Sequence, residues 1–195
     1  MGDITSGLAT APLGLFDPLG TVTRLSATRT PSSLQLTSLS ITVVSSLAVL
    51  MAMHFQNPEW IQSPQGLPIE MVFKRGLPVF LVPYVALAAT NSLIRVIFST
   101  SGRSHRGLDA LASALTLLPF QAGMLLISAT DMGRRTGMEA PGFVCVYCGL
   151  LTCVLAFAIN NHLGLASPRL LIFLTPVQII GAIWLSVFLY RAIGF

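Results

Sequence analysis

A chain of 195 residues that is 53% hydrophobic and 9% charged lacks the charged surface, about 25% of residues, that keeps an ordinary soluble domain dispersed. The net charge of +4 is spread over segment ends with no long basic run, which argues against nucleic acid as a partner. Lipid or other protein must replace water around most of the surface. The expected class is all-α: a polytopic integral membrane protein with a bundle of about five transmembrane helices and an irregular N-terminal tail.

Residues 1–35 are rich in Ser, Thr, Gly, Pro and Leu, with Phe16-Asp17-Pro18-Leu19-Gly20 as a turn-like interruption. This composition predicts an extended tail that needs a surface to lie against, with a partner protein as the natural candidate. A cleaved leader is not expected, because a basic n-region is missing and the first long apolar run starts near residue 36. Met1-Gly2-Asp3-Ile4-Thr5-Ser6 fits the N-myristoylation pattern, which is too short to carry acylation by itself.

The transmembrane domain is read over 36–195, with apolar runs near 36–55, 77–99, 108–130, 141–163 and 169–193. Each is close to the roughly 20 residues that a helix needs to cross the hydrocarbon layer, whereas barrel strands are half as long and alternate in polarity. The first connection, Gln56 to Gly76, carries Pro58, Trp60, Pro64 and Pro68, which predicts an irregular loop with Trp60 at the headgroup level. The remaining connections are short, so consecutive helices should be antiparallel neighbours. Side A of the membrane then holds Arg24, Arg29, Arg103, Arg106 and Arg169, and side B holds Lys74, Arg75, Arg134, Arg135 and Arg191. That balance gives the positive-inside rule nothing to act on.

A faint internal repeat runs through the last four helices. Pro78-Val79-Phe80-Leu81-Val82-Pro83-Tyr84 matches Pro141-Gly142-Phe143-Val144-Cys145-Val146-Tyr147 at Pro, Phe and Tyr, and Leu118-Pro119-Phe120-Gln121 matches Thr175-Pro176-Val177-Gln178 at Pro and Gln. A duplication would make 77–193 a pair of hairpins related by an axis along the membrane normal, with the first helix added outside. The same residues are also common at helix starts and interfaces.

Within the apolar runs a few polar residues stand out. Arg95 falls about one turn from the end of its helix, where a guanidinium can snorkel to the headgroups. Asn91 is four residues earlier, on the same face. The same membrane level receives Asp109 from the next helix and Asn160, Asn161 and His162 from the fourth. Together these predict either a polar site for a lipid headgroup or anionic ligand, built on an Arg95–Asp109 pair, or a pin between helices. Gln121 and Gln178 each follow a proline, Pro119 and Pro176, by two residues. They read as stabilisers of a kink, their amides satisfying the carbonyl that proline frees, or as the lining of a ligand pocket between kinked helices.

Other chemistry is sparsely supported. Cys145-Val146-Tyr147-Cys148 has metal-pair spacing but no second ligand pair, so the cysteines are expected to pack rather than to bind metal. His54 and His162 end helices on opposite sides and His105 falls in a loop, which disfavours bis-histidine haem. No nucleophile–base pair, phosphate loop or carboxylate deep in a helix is visible among the 7 acidic residues, so no catalytic residue is assigned. Small residues at Ser45, Ala48 and Ala52 and at Ala110, Ser113 and Ala114 offer close-packing faces.

The expected function is that of a non-catalytic accessory subunit in a larger membrane complex, contacting other subunits and phospholipids and holding no cofactor beyond bound lipid. An organellar energy-transducing assembly in the mitochondrial inner membrane is the analogy behind it. The competing expectation is a small membrane-embedded enzyme or carrier for a lipophilic substrate, its pocket lined by Asn91, Arg95, Asp109, Gln121, His162 and Gln178.

Overall fold

The structure, a computed structural model, describes residues 16–56, 69–98, 106–130, 132–137 and 139–193. Most of those residues are helical, with no strand among them. The helices are α1 (Pro18–Thr28), α2 (Pro31–Gln56), α3 (Ile69–Phe98), α4 (Arg106–Ala129), α5 (Met132–Thr136), α6 (Glu139–His162) and α7 (Pro168–Ile193). Five of them, α2, α3, α4, α6 and α7, are long and apolar enough to cross a membrane. The chain is an all-α, multi-pass membrane protein. The positions of Trp60 and His105 and the Gly2 acylation pattern lie outside the described residues.

The second half of the expected tail is helix α1. What reads as a turn at Asp17-Pro18 is a helix start: Asp17 Oδ1 accepts from the Gly20 N–H at 2.9 Å, and Pro18 occupies the first helical position. Val22 and Leu25 are buried in the main core beside residues of α4 and α6. This part of the chain therefore lies on the protein's own helices.

Two spanning helices begin earlier than the apolar runs suggest. Helix α2 starts at Pro31, because Ser32, Ser33 and Gln35 continue a helix that their polarity disguised. Helix α3 starts at Ile69, so the last part of the expected first loop is helical, and Pro78 and Pro83 fall inside it. Membrane helices tolerate internal proline because neighbouring groups re-satisfy the freed backbone. Gly76 is where α2 and α3 approach each other, since a Cβ there would overlap the Leu50 side chain.

Helices α3, α4, α6 and α7 form a ring in which each touches two neighbours: α3 with α4, α4 with α6, α6 with α7, and α7 with α3. Helix α2 is added outside, along α4 and α3, and makes its most extensive pairing with α4. Sandwiched between α2 and the other ring helices, α4 has 72% of its span buried, against 17% for α6. Ala110, Ser113 and Ala114 sit in this crowded zone, where small side chains permit close approach. Leu111, Leu115, Ile159 and Ile179 fill the core beside them.

The α6–α7 turn has a local cause that matters for the site. Gly164 has φ 60, a left-handed conformation that glycine adopts without a Cβ penalty. Its N–H bonds to Asn161 O and the Leu165 N–H to Asn160 O, both at 3.0 Å, which is the Schellman arrangement for ending a helix. Leu165 is thereby folded back and fully buried with Ile94 and Leu171.

Candidate functional site

The polar residues of α3 and α4 meet at side A. Arg95 donates from Nε to both Asp109 oxygens, at 3.0 and 3.2 Å, and from Nη2 to Oδ1 at 2.6 Å. Such fork-to-fork geometry is the strong form of a charge-assisted hydrogen bond. Arg95 is 6% and Asp109 1% exposed, so the guanidinium turns inward to its partner instead of snorkelling to the headgroups. The reason is positional: Asp109 lies in the first turn of α4, at the level where α3 is ending.

Two further contacts complete the pair. Ser92 Oγ donates to Asp109 Oδ2 at 3.2 Å, and Arg95 Nη1 donates to Leu163 O at 3.5 Å. Leu163 is the residue just before Gly164, so its carbonyl is one that the end of α6 leaves without an intrahelical partner. The negative end of the α6 dipole favours a cation there.

From this pair a chain of hydrogen bonds runs across the bundle. Gln178 Nε2 on α7 donates to Asn91 Oδ1 and to Thr90 Oγ1, each at 3.1 Å. Asn91 Nδ2 donates to Ser113 Oγ at 3.1 Å, and Ser113 Oγ donates to Asp109 O at 2.8 Å. Helices α3, α4 and α7 are thus joined by one polar network.

Gln121 belongs to a second network. It accepts from Ser45 Oγ at 2.5 Å and donates to Ser46 Oγ at 3.3 Å, joining α4 to α2. About two helical turns toward side A, Ser38 Oγ and Tyr84 Oη lie 2.8 Å apart and join α2 to α3. Neither glutamine amide is directed at the carbonyl freed by its own helix's proline. The freed carbonyls belong to Leu115 and Ile172, six residues before each glutamine, which puts the side chain about 120° away round the helix, facing a neighbour.

The remaining candidates are separated by one-residue steps round α6. Asn160 is buried, and its Oδ1 has no hydrogen-bond partner among the described residues. Asn161 and His162 are exposed, and His162 Nε2 lies 3.1 Å from Thr23 Oγ1 of α1. His162 therefore anchors α1 and is not part of the Arg95 network. Ser92, Ser113, Thr90, Ser45 and Ser46 are network members that sequence reasoning missed as polar partners. The available signals were Ser113 four residues after Asp109 and Ser92 three before Arg95, on shared helix faces.

An apolar cavity of about 480 Å³ lies nearer side B, lined from α2, α3, α4, α6 and α7 by residues that include Met53, Phe80, Phe120, Met124, Cys145 and Tyr190. A shallower groove between α4 and α6 is lined by Pro119, Phe143, Tyr147 and Leu151, with Pro18 at its edge. Asn91, Arg95, Asp109, Gln121, His162 and Gln178 line neither. Pro176 is half-buried in α7. Cys148 packs where α6 nears Gly123 of α4, and Cys145 is exposed.

Chemically, the side A network fastens helices together. Among the described residues its charged pair is nearly closed to the outside, and its amides and hydroxyls bond one another across α3, α4 and α7. No family model, curated protein or solved structure matches the chain.

Proposed function

We propose that the protein is a non-catalytic subunit of a larger membrane complex, a rigid helical block that holds neighbouring subunits and phospholipids around its perimeter. The observation that carries this reading is the contrast between a largely self-bonded polar interior and a broad apolar exterior. The Arg95–Asp109 pair and its amides serve helix packing. Meanwhile Phe143, Tyr147, Leu150 and Val154 on α6, and Phe173, Val177, Ile180, Trp184 and Phe188 on α7, are exposed at helical spacing. Trp184 and Phe188 stack, with ring centroids 5.5 Å apart. Exposed faces of this extent in a membrane protein meet lipid or other helices.

The proposal extends, by analogy alone, to an organellar energy-transducing membrane such as the mitochondrial inner membrane. Gentle detergent extraction from the native membrane tests the subunit reading. The expected result is migration in an assembly several times larger than the 20.8 kDa chain, with reproducible protein partners. A lone monomer or homodimer that turns over or carries a lipophilic substrate would overturn it. Microscopy of a tagged chain tests the organelle separately.

A further inference from the structure

The side B cavity is not explained by helix packing. Its volume of about 480 Å³ lies within the roughly 300–1,000 Å³ usual for small-molecule sites. At ~30 Å³ per methylene, about the volume share of one liquid water, it accommodates on the order of 16 methylenes, one acyl chain. The lining is almost wholly hydrocarbon and thioether, with the Ser186 and Tyr190 hydroxyls and the Cys145 thiol as the exceptions.

Access and charge both point to the bilayer. Val146 of α6 and Val187 of α7 line the cavity and are also exposed, which places an opening on the lipid-facing flank of these two helices. At the side B end the lining residues Gly76 and Tyr190 are directly followed or preceded in sequence by exposed cations, Arg75 before Gly76 and Arg191 after Tyr190. Glu139 is the acidic residue with a described side chain at that end. Cations at the headgroup level beside an apolar slot match a negatively charged lipid.

We propose that this cavity holds one acyl chain of an anionic phospholipid from the side B leaflet, with Arg75 and Arg191 meeting its phosphate. The proposal gives chemistry and place to the phospholipid part of the proposed function, and it rests on the membrane setting of the chain, not on its being a subunit.

Native mass spectrometry of the delipidated full-length protein, titrated with phosphatidylglycerol or phosphatidylcholine, tests it. The expected result is a single retained phosphatidylglycerol, bound about tenfold more tightly than phosphatidylcholine. Arg75→Gln with Arg191→Gln should remove that preference, and Ser186→Phe should abolish retention of both lipids. Ser186 bonds only its own helix, through Ala182 O at 3.2 Å, so the larger ring breaks no contact between helices.

A second readout uses the unaltered chain. Cys145 lines the cavity, so phosphatidylglycerol should slow its alkylation by a lipophilic maleimide, followed by peptide mass mapping, about tenfold relative to phosphatidylcholine. Equal protection by both lipids, or by palmitate alone, would overturn the anionic phospholipid assignment. Cys145 labelling that no lipid slows would overturn occupancy of the cavity. These outcomes are independent of the mass of the extracted assembly, which tests the subunit reading.

Discussion

The α3–α4 and α6–α7 hairpins put matching residues to different uses. Tyr84 of α3 is buried and bonded to Ser38, whereas its counterpart Tyr147 of α6 is 68% exposed. Gln121 of α4 reaches across to Ser45 and Ser46 of α2, while Gln178 of α7 reaches Asn91 and Thr90 of α3. The difference is α2, whose main pairings are with α4 and α3 of the first hairpin. A helix added on one flank draws Tyr84 and Gln121 into a seam, whereas on the other hairpin Tyr147 stays exposed and Gln178 finds its partners on α3. Sequence likeness between the hairpins therefore does not carry over into like roles.

The strongest way to break the first hairpin's advantage is to unpair its charges. Arg95→Leu or Asp109→Leu alone should lower stability in detergent by about 3–5 kcal/mol, because each leaves an uncompensated buried charge. The double variant should recover most of that loss. Thermal or denaturant unfolding of the purified protein reads both, and single and double variants of equal stability would refute the buried pair.

The glutamines sharpen the comparison at smaller scale. Gln121→Leu should cost about 1–2 kcal/mol by removing two interhelical hydrogen bonds. Gln178→Leu should cost a similar amount but loosen α7 specifically, seen as faster amide exchange in α7 than in α2. Loosening of α2 by both variants would mean that the two networks are not separate.

Gly164→Ala addresses the turn that closes the second hairpin. Its surroundings are open, so the whole effect is left-handed strain, about 1 kcal/mol. A loss several times larger would show that the Leu163 carbonyl and Arg95 depend on that turn. The smallest expected effect comes from the tyrosines: Tyr84→Phe should cost about 0.6 kcal/mol through the lost Ser38 contact, and Tyr147→Phe nothing measurable. Equal effects would erase the distinction drawn between the hairpins.

The spanning helices were legible because some twenty apolar residues in a row have one stable form in lipid. Their ends were less so: Gly76 and Pro78 imitate a loop inside α3, and three polar residues hide the start of α2. Helix α1 is 11 residues long, too short for an apolar-run criterion, although Asp17-Pro18 was an N-cap and first-turn signal in plain view. For the site, the level in the membrane was readable from position along each run, which is why Arg95 and Asp109 were singled out together. Azimuth was not readable. A rotation of about 100° per residue takes Asn160 inside and leaves Asn161 outside, and nothing local to α6 announces which neighbour covers which face. Hydroxyl partners such as Ser113 were also concealed, since a small residue at a helix contact looks like packing whether or not it donates a hydrogen bond.

The spacing of the ion pair has a consequence for biogenesis. Arg95 and Asp109 are 14 positions apart in the chain, so they leave the ribosome almost together, and neither needs to wait for a distant segment to be neutralised. An isolated charge raises the cost of translocon-guided insertion by about 3 kcal/mol at a helix centre and by less near a helix end, where Arg95 and Asp109 sit. Helices α3 and α4 should then enter the bilayer as one coupled unit, and glycosylation mapping of nascent chains ending before and after α4 would register the step at which α3 becomes committed.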